Sequence, residues 1–311
     1  MIYAELSGGL GNQMFIYAFA RALGLRCSEP VTLIDRRDWM DGAPAHTALA
    51  LDALHPSAEV RITRDTGLTR RRLPLASAAK VLMIKYEQRA GLMARDWQPF
   101  EAAAAPLLNA LGLHFATEGY TPVHRGRSRD FLAWGYFQAE EYFADCAGTL
   151  RGELMPRDAD DARTRELCAR IEASPCPVCL HWRCGDYLRP ENAALQVCTP
   201  DYYARACAEV RRRLPEAEIF AFSDDPDYLA AHLDSAGLPV RLASGSRSAA
   251  ADLGLMRRCR AFVLSNSTFS WWAQWLAGAA PDRVFAPDRW YANGKHSALL
   301  RRDWTRLPTR P

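Results

Sequence analysis

The chain has 311 residues, 49% of them hydrophobic and 24% charged, an ordinary globular composition sufficient for one large or two medium domains. Its net charge of +3 is too small to point to nucleic acid, no apolar run approaches the ~20 residues of a membrane span, and the amino terminus does not read as a secretory signal. The nine cysteines are odd in number, and several fall inside predicted strands and helices, which suits reduced thiols better than a disulfide framework.

Residues 2–6 predict a short strand. "SGGLGNQ" follows, then "MFIYAFARALG", whose apolar positions fall at helical spacing with Gly24 as the stop. "PVTLID" (30–35) predicts a second strand. A strand, glycine loop, helix and strand in that order are the opening of a parallel α/β sheet. Residues 39 to about 130 hold Ala- and Arg-rich helical pieces and loops without clear alternation. Within them "RITRDTGLTRRRL" (61–73) carries five arginines. That run is either a solvated face or a patch for an anionic membrane or a polyanionic glycan. The aromatic stretch "WGYFQAEEYF" (134–143) reads as core packing or as an aromatic sugar platform.

"RDADDARTRELCARIEAS" (157–174) predicts a helix with acids in its first turn, where the helix dipole favours them. Strands are predicted at 177–183, 218–223, 239–243, 261–265 and 283–286. Helices lie between them, such as 199–214 with Thr199 as N-cap and Pro200 in the first position. This is a second doubly wound half. The predicted boundary lies between 150 and 160, giving domains 1–155 and 156–311.

In open α/β sheets ligands bind outside the carboxyl ends of the strands, and four predicted ends carry polar residues. "GGLGNQ" (8–13) offers glycines for close approach and helix N–H groups for an anion. A dinucleotide site is the rival there, with Asp35 placed as a ribose-binding acid, but Met14 stands where the third glycine belongs. Asn12 and Gln13 put amides at the helix start, suited to hydroxyls or phosphate oxygens. In "PVCLHWRCGDY" strand alternation separates Val178, Leu180 and Trp182 from Cys179, His181 and Arg183. Arg183 then suits a diphosphate, Asp186 braces the turn or an arginine, and Cys184 points outward. Cys176, Cys179, His181, Cys184 and Cys198 raise the question of zinc, yet Cys179 sits within an apolar strand and no second ligand pair follows. "FSDDPDYL" offers acids for a metal, a helix cap or a guanine edge. "LSNSTFSWW" ends a strand in hydroxyls at a helix start, an anion site.

Together "GGLGNQMFIYAFARALG", "WGYFQAEEYF", "HWRCGDY", "FSDDPDYL", "DLGLMRRCRAFVLSNSTFSWWAQWL" and "APDRWY" stand in the order found in the α-1,2-fucosyltransferases of glycosyltransferase family 11, and the chain resembles that family's bacterial members. The resemblance implies a GT-B-like α/β fold of two Rossmann-like domains facing a cleft. The N-terminal one would be the acceptor side, and the C-terminal one would bind the nucleotide sugar. It implies GDP-β-L-fucose as donor, a terminal β-galactoside as acceptor, and inversion without a required metal or cofactor. Carried over, Arg183 stabilises the GDP leaving group, with Asn12 and Asp186 beside it in the catalytic set. Gly9, Gly11, Asn12, His181, Arg183, Asp224, Asp225, Ser265, Asn266, Ser267 and Thr268 form the donor-binding set. One departure is Cys184, where the family commonly has a second arginine in H-x-R-R-G-D.

A cytoplasmic location, with peripheral contact at the inner membrane surface, and a role in O-antigen or lipopolysaccharide synthesis are expected by analogy. Two rival readings are a non-catalytic glycan-binding homologue, motivated by Cys184, and a dinucleotide-dependent oxidoreductase, motivated by the N-terminal loop and Asp35.

Overall fold

A computed structural model describes residues 1–35, 49–90, 96–125, 130–157, 161–243 and 247–310. The chain divides into two units, Met1–Leu154 and Met155–Pro311.

The first unit contains strands β1 (Ile2–Leu6), β2 (Val31–Asp35), β3 (Val60–Thr63), β4 (Leu113–Glu118) and β5 (Phe131–Gln138). They form one parallel sheet in the order β3-β2-β1-β5-β4. Its helices are α1 (Leu10–Cys27), α2 (Leu68–Arg72), α3 (Pro74–Ala90), α4 (Gln98–Ala110) and α5 (Ala147–Glu153). Every residue of β1 and β2 is buried, as parallel strands covered on both faces require. Helix α1 is buried around nearly its whole circumference, which is why its sequence is apolar on every side rather than striped. It passes Gly24 and ends at Ser28 in the left-handed conformation, so Gly24 is not the stop. The missing side chain serves packing instead, since a Cβ there would lie 2.6 Å from Val31 Cγ2.

The second unit contains β6 (Cys176–Trp182), β7 (Ala217–Ser223), β8 (Val240–Leu242), β9 (Ala261–Val263), β10 (Val284–Pro287) and β11 (Thr305–Leu307). They are parallel, in the order β11-β10-β9-β6-β7-β8. The helices are α6 (Ala162–Ala173), α7 (Pro200–Arg213), α8 (Pro226–His232), α9 (Ala249–Met256) and α10 (Thr268–Ala277). Five of the six strands stand where the sequence predicts them; β11 is a three-residue edge too short to carry a pattern. The acids before α6 do not fill its first turn. Asp161 caps the helix instead, accepting from Thr164 N–H at 2.8 Å, while 158–160 lie outside the described residues. Thr199 is the N-cap of α7 without a side-chain bond, and Pro200 takes the first position. Val178, Leu180 and Trp182 pack against Tyr202, Tyr203, Ala206 and Val210 of α7. Burial of each large side chain contributes roughly 1.5–3 kcal/mol.

Strand order decides where polar residues gather. In the first sheet the chain turns back between β1 and β5, and in the second between β6 and β9. Such switch points open a crevice outside the carboxyl ends of the strands.

Candidate functional site

At the second switch point His181, near the end of β6, faces Ser265, just past β9, with Nδ1 and Oγ 3.0 Å apart. Both side chains are buried. Burial, helped by the nearby Arg183 charge, lowers the His181 pKa to about 3. The imidazole is therefore neutral and holds the two strand ends together rather than carrying a proton. Ser265 Oγ also lies 3.3 Å from Ser270 Oγ, whose single O–H has the Ser267 carbonyl at 3.0 Å and the Ser265 carbonyl at 3.2 Å as acceptors. This fixes the first turn of α10, whose amide dipoles favour an anion there.

β6 ends at Trp182, so Arg183 starts the following loop. Its Nη2 donates to Asp186 Oδ1 at 2.5 Å, and its Nη1 lies 3.1 Å from Asp224 Oδ2. Asp224 Oδ1 accepts the Cys184 N–H at 2.8 Å. The loop passes so close that a Cβ on Gly185, at φ +23°, would run into the Asp224 carboxylate. The Tyr187 ring lies 5.7 Å from the guanidinium, and its hydroxyl donates to the Asn266 carbonyl at 3.1 Å. Burial alone would lower the Arg183 pKa, but the Asp224 and Asp186 carboxylates outweigh it and raise the value. The side chain remains 22% exposed, and a guanidinium has five N–H donors in a fixed fork. It is a charged donor set in advance by its neighbours.

Other residues of the donor-binding set have structural partners. The Asn266 amide ties Leu195 (3.0 Å) to Trp290 (2.8 Å) through their carbonyls. Ser267 caps α10, accepting from Phe269 N–H at 3.3 Å, and Thr268 is half-buried at its first position. Asp225 caps α8, accepting from Tyr228 N–H at 3.0 Å. Among the described residues no group of three His, Cys, Asp or Glu is arranged to hold a metal ion, and none of the nine cysteines is in a disulfide. Cys184 does not point outward. It is fully buried in the core beside α7, 3.7 Å from Ser223 Oγ, and burial pushes its thiol up to about 11.

At the first switch point Gly8 has φ +71°, and a Cβ there would collide with the Asn12 amide. Gly9 is the N-cap of α1, and Gly11 is buried within its first turn. Gln13 does not present its amide to a ligand. It is buried, donating to the Gly8 carbonyl at 2.9 Å and accepting from Ala50 N–H at 3.0 Å. Asn12 is half-buried, and its Oδ1 accepts from Gln138 Nε2 at 3.1 Å across the switch point. Asp35 ends β2, buried, 3.8 Å from Arg64 Nε.

The aromatic stretch is chiefly core: Phe137, Tyr142 and Phe143 are buried, Phe137 stacking on Phe19 at 4.0 Å. Phe137 and Gln138 are consecutive yet both reach α1, which strand alternation forbids. The positive φ of 52° at Phe137 makes it so, and strained backbone of this kind gathers at functional places. Gln138, Tyr187, Asn192 (which donates to the Asp186 carbonyl at 2.8 Å) and Ser270 are not singled out by sequence reasoning. The one sequence signal that could have marked an irregular strand end is Gly135, two residues before Phe137.

Residues 114–308 match the model of glycosyl transferase family 11. The chain belongs to glycosyl transferase family 11. The Escherichia coli O-antigen biosynthesis glycosyltransferase WbnK is 27% identical, covering 98% of this chain and 100% of its own. An α-1,2-colitosyltransferase of Escherichia coli is 25% identical over 94% and 92%. In fold the transferase is similar to NodZ α-1,6-fucosyltransferase in a crystal soaked with GDP-fucose, with 14% identity, 92% and 94% coverage and a TM-score of 0.53. The fold is GT-B-like, built of two Rossmann-like units. Membership of a glycosyltransferase family sets aside the oxidoreductase reading.

Proposed function

We propose that this transferase moves L-fucose from GDP-β-L-fucose to the 2-hydroxyl of a terminal β-galactoside, in the synthesis of a surface glycan such as O-antigen. The observation that carries the reading is Arg183, held by Asp186 and Asp224 against Tyr187, whose hydroxyl reaches the Asn266 carbonyl just ahead of α10. In the reaction the galactoside 2-oxygen bonds to fucose C1 as the C1–O bond to the β-phosphate breaks. GDP leaves with the electron pair, the anomeric carbon inverts, and one proton is released to solvent. Negative charge builds on the diphosphate, where a preorganised guanidinium and helix amides stabilise it most in the transition state.

Asp186 and Asp224 act through Arg183 and are positioning residues, as is His181 through Ser265. Asn12 is assigned a neutral contact to sugar hydroxyls. A loose transition state develops acidity on the attacking hydroxyl late, so weak base assistance suffices. No divalent cation is required, and turnover should persist in excess chelator. The relative named for α-1,2 transfer of colitose favours a second reading, with colitose in place of fucose at the same linkage.

Incubation with nucleotide-activated fucose or colitose and a panel of β-galactosides, followed by GDP release and NMR of the product, tests both. An α-1,2 product is expected. No GDP release with any galactoside would leave the glycan-binding homologue, and another linkage would overturn the acceptor position.

A further inference from the structure

Between residues 61 and 89 the chain carries eight basic residues and two acidic ones. The net of +6 in that stretch exceeds the +3 of the whole chain, so the remainder is net −3. Lys80 turns inward to Glu5 and Arg71 pairs with Asp65, whereas Arg61, Arg64, Arg70, Arg72, Lys85 and Arg89 are exposed.

Helix α3 carries two apolar lines side by side. Ala76, Ala79 and Met83 face the core of the first unit. Next to these, Leu75, Val81 and Leu82 are 66%, 50% and 68% exposed, and Tyr86 is 45% exposed while one side of its ring packs on Trp97 and Phe100. Leu75, Leu82 and Tyr86 follow one another at two turns and one turn, so they make a line down the helix. Of the ten large hydrophobic side chains exposed among the described residues, four are on this helix. Scattered exposed apolar residues are normal, but a line of them rimmed by cations marks a surface that something covers.

We infer that α2 and α3 form a face that docks peripherally on a bilayer of anionic phospholipid. A helix lying in the interface puts its apolar line at the acyl boundary and its cations among the headgroups. Charge decides against a second copy of the chain as occupant, because two such faces would bring like-charged segments together. No helix of the described residues is long and apolar enough to cross a membrane. The mounting is firm: Lys80 ties α3 to Glu5, near the carboxyl end of β1, with the ammonium 5.9 Å from the Trp134 ring centre. Docking through this face brings the first unit to where a lipid-borne acceptor would be.

The test is sedimentation of the full chain with vesicles of phosphatidylglycerol and phosphatidylethanolamine, against vesicles of phosphatidylcholine. Binding to the anionic vesicles alone, weakening with salt, is expected. Each arginine near such a surface contributes about 1 kcal/mol, roughly fivefold. Arg70→Ala/Arg72→Ala should therefore lower binding about 25-fold. Leu75→Gln/Leu82→Gln should lower it about tenfold or more. Both variants should keep wild-type melting and wild-type GDP release on a water-soluble acceptor. Equal binding to both vesicles, or anionic binding that survives both variants, would overturn the inference. So would a dimer, seen by light scattering, that the leucine variant splits while vesicle binding persists.

Discussion

The two switch points are built alike and equipped differently. In each, a side chain at or near a strand end meets one across the switch point: Gln138 of β5 meets Asn12 in the first turn of α1, and His181 of β6 meets Ser265 just past β9. The first is neutral, made of glycines and amides, with Gln13 consumed in holding its own loop. The second adds a guanidinium clamped by two carboxylates. Neutral hydrogen bonds contribute about 0.5–1.5 kcal/mol and charge-assisted ones about 1.5–3. The difference teaches that the same fold can equip its switch points for different work: under the proposed function, the preorganised positive charge serves the departing diphosphate and the uncharged amides serve sugar hydroxyls.

The strongest way to break this comparison is Arg183→Ala. Loss of one preorganised donor should lower turnover about 10²–10³-fold at saturating donor, with Arg183→Lys between. Retained turnover would remove the charge argument. Next is Cys184→Arg, which restores the commoner sequence but puts a guanidinium into the packed core beside α7. It should cost about 3–5 kcal/mol in urea unfolding and leave donor affinity no better than wild type. A tighter donor Kd would show that the side chain escapes to the diphosphate.

A third test uses one histidine in each unit. His114, stacked near Phe19 and Phe137, has its pKa lowered to about 3, chiefly by burial, as His181 does. Unfolded, both return to about 6.5. The unfolded chain therefore binds protons first, and stability is full above pH 6.5 and falls as the pH drops toward 3. The loss is on the order of a few kcal/mol. Thermal melts from pH 7.5 to 4.5 should show it, and His114→Phe should remove the share of the first unit. An acid response unchanged by that substitution would remove His114 from the account.

The smallest effect expected is that of Asn12→Ala, about tenfold in turnover. A loss equal to that of Arg183→Ala would mean that the two switch points contribute alike.

Much of this was legible in the chain. Alternation in "PVCLHWRCGDY" put His181 opposite Trp182, and the acids of "FSDDPDYL" read as helix caps, as Asp225 is. The run at 61–73 stood out by charge alone, though not the apolar line of α3 beside it. Gly24 misled, because a glycine that ends a helix and one that lets a helix press on a strand look alike in sequence. Cys184 misled for a related reason. Parity fixes which side of the chain a residue takes, but not whether solvent or a helix waits there.

By itself, then, the sequence determined the second parallel sheet, the first two strands of the other, the family and the positions of the polar strand ends, all of which depend on local patterns; β3, β4 and β5 carried no clear alternation. Only the tertiary structure decided which strand ends are neighbours. That brought Gln138 to Asn12 and Ser265 to His181, and gave Arg183 its second carboxylate from residue 224. These pairs are set by strand order and by one positive φ at Phe137. Partners 41, 84 and 126 residues apart in the chain leave no periodic trace in it.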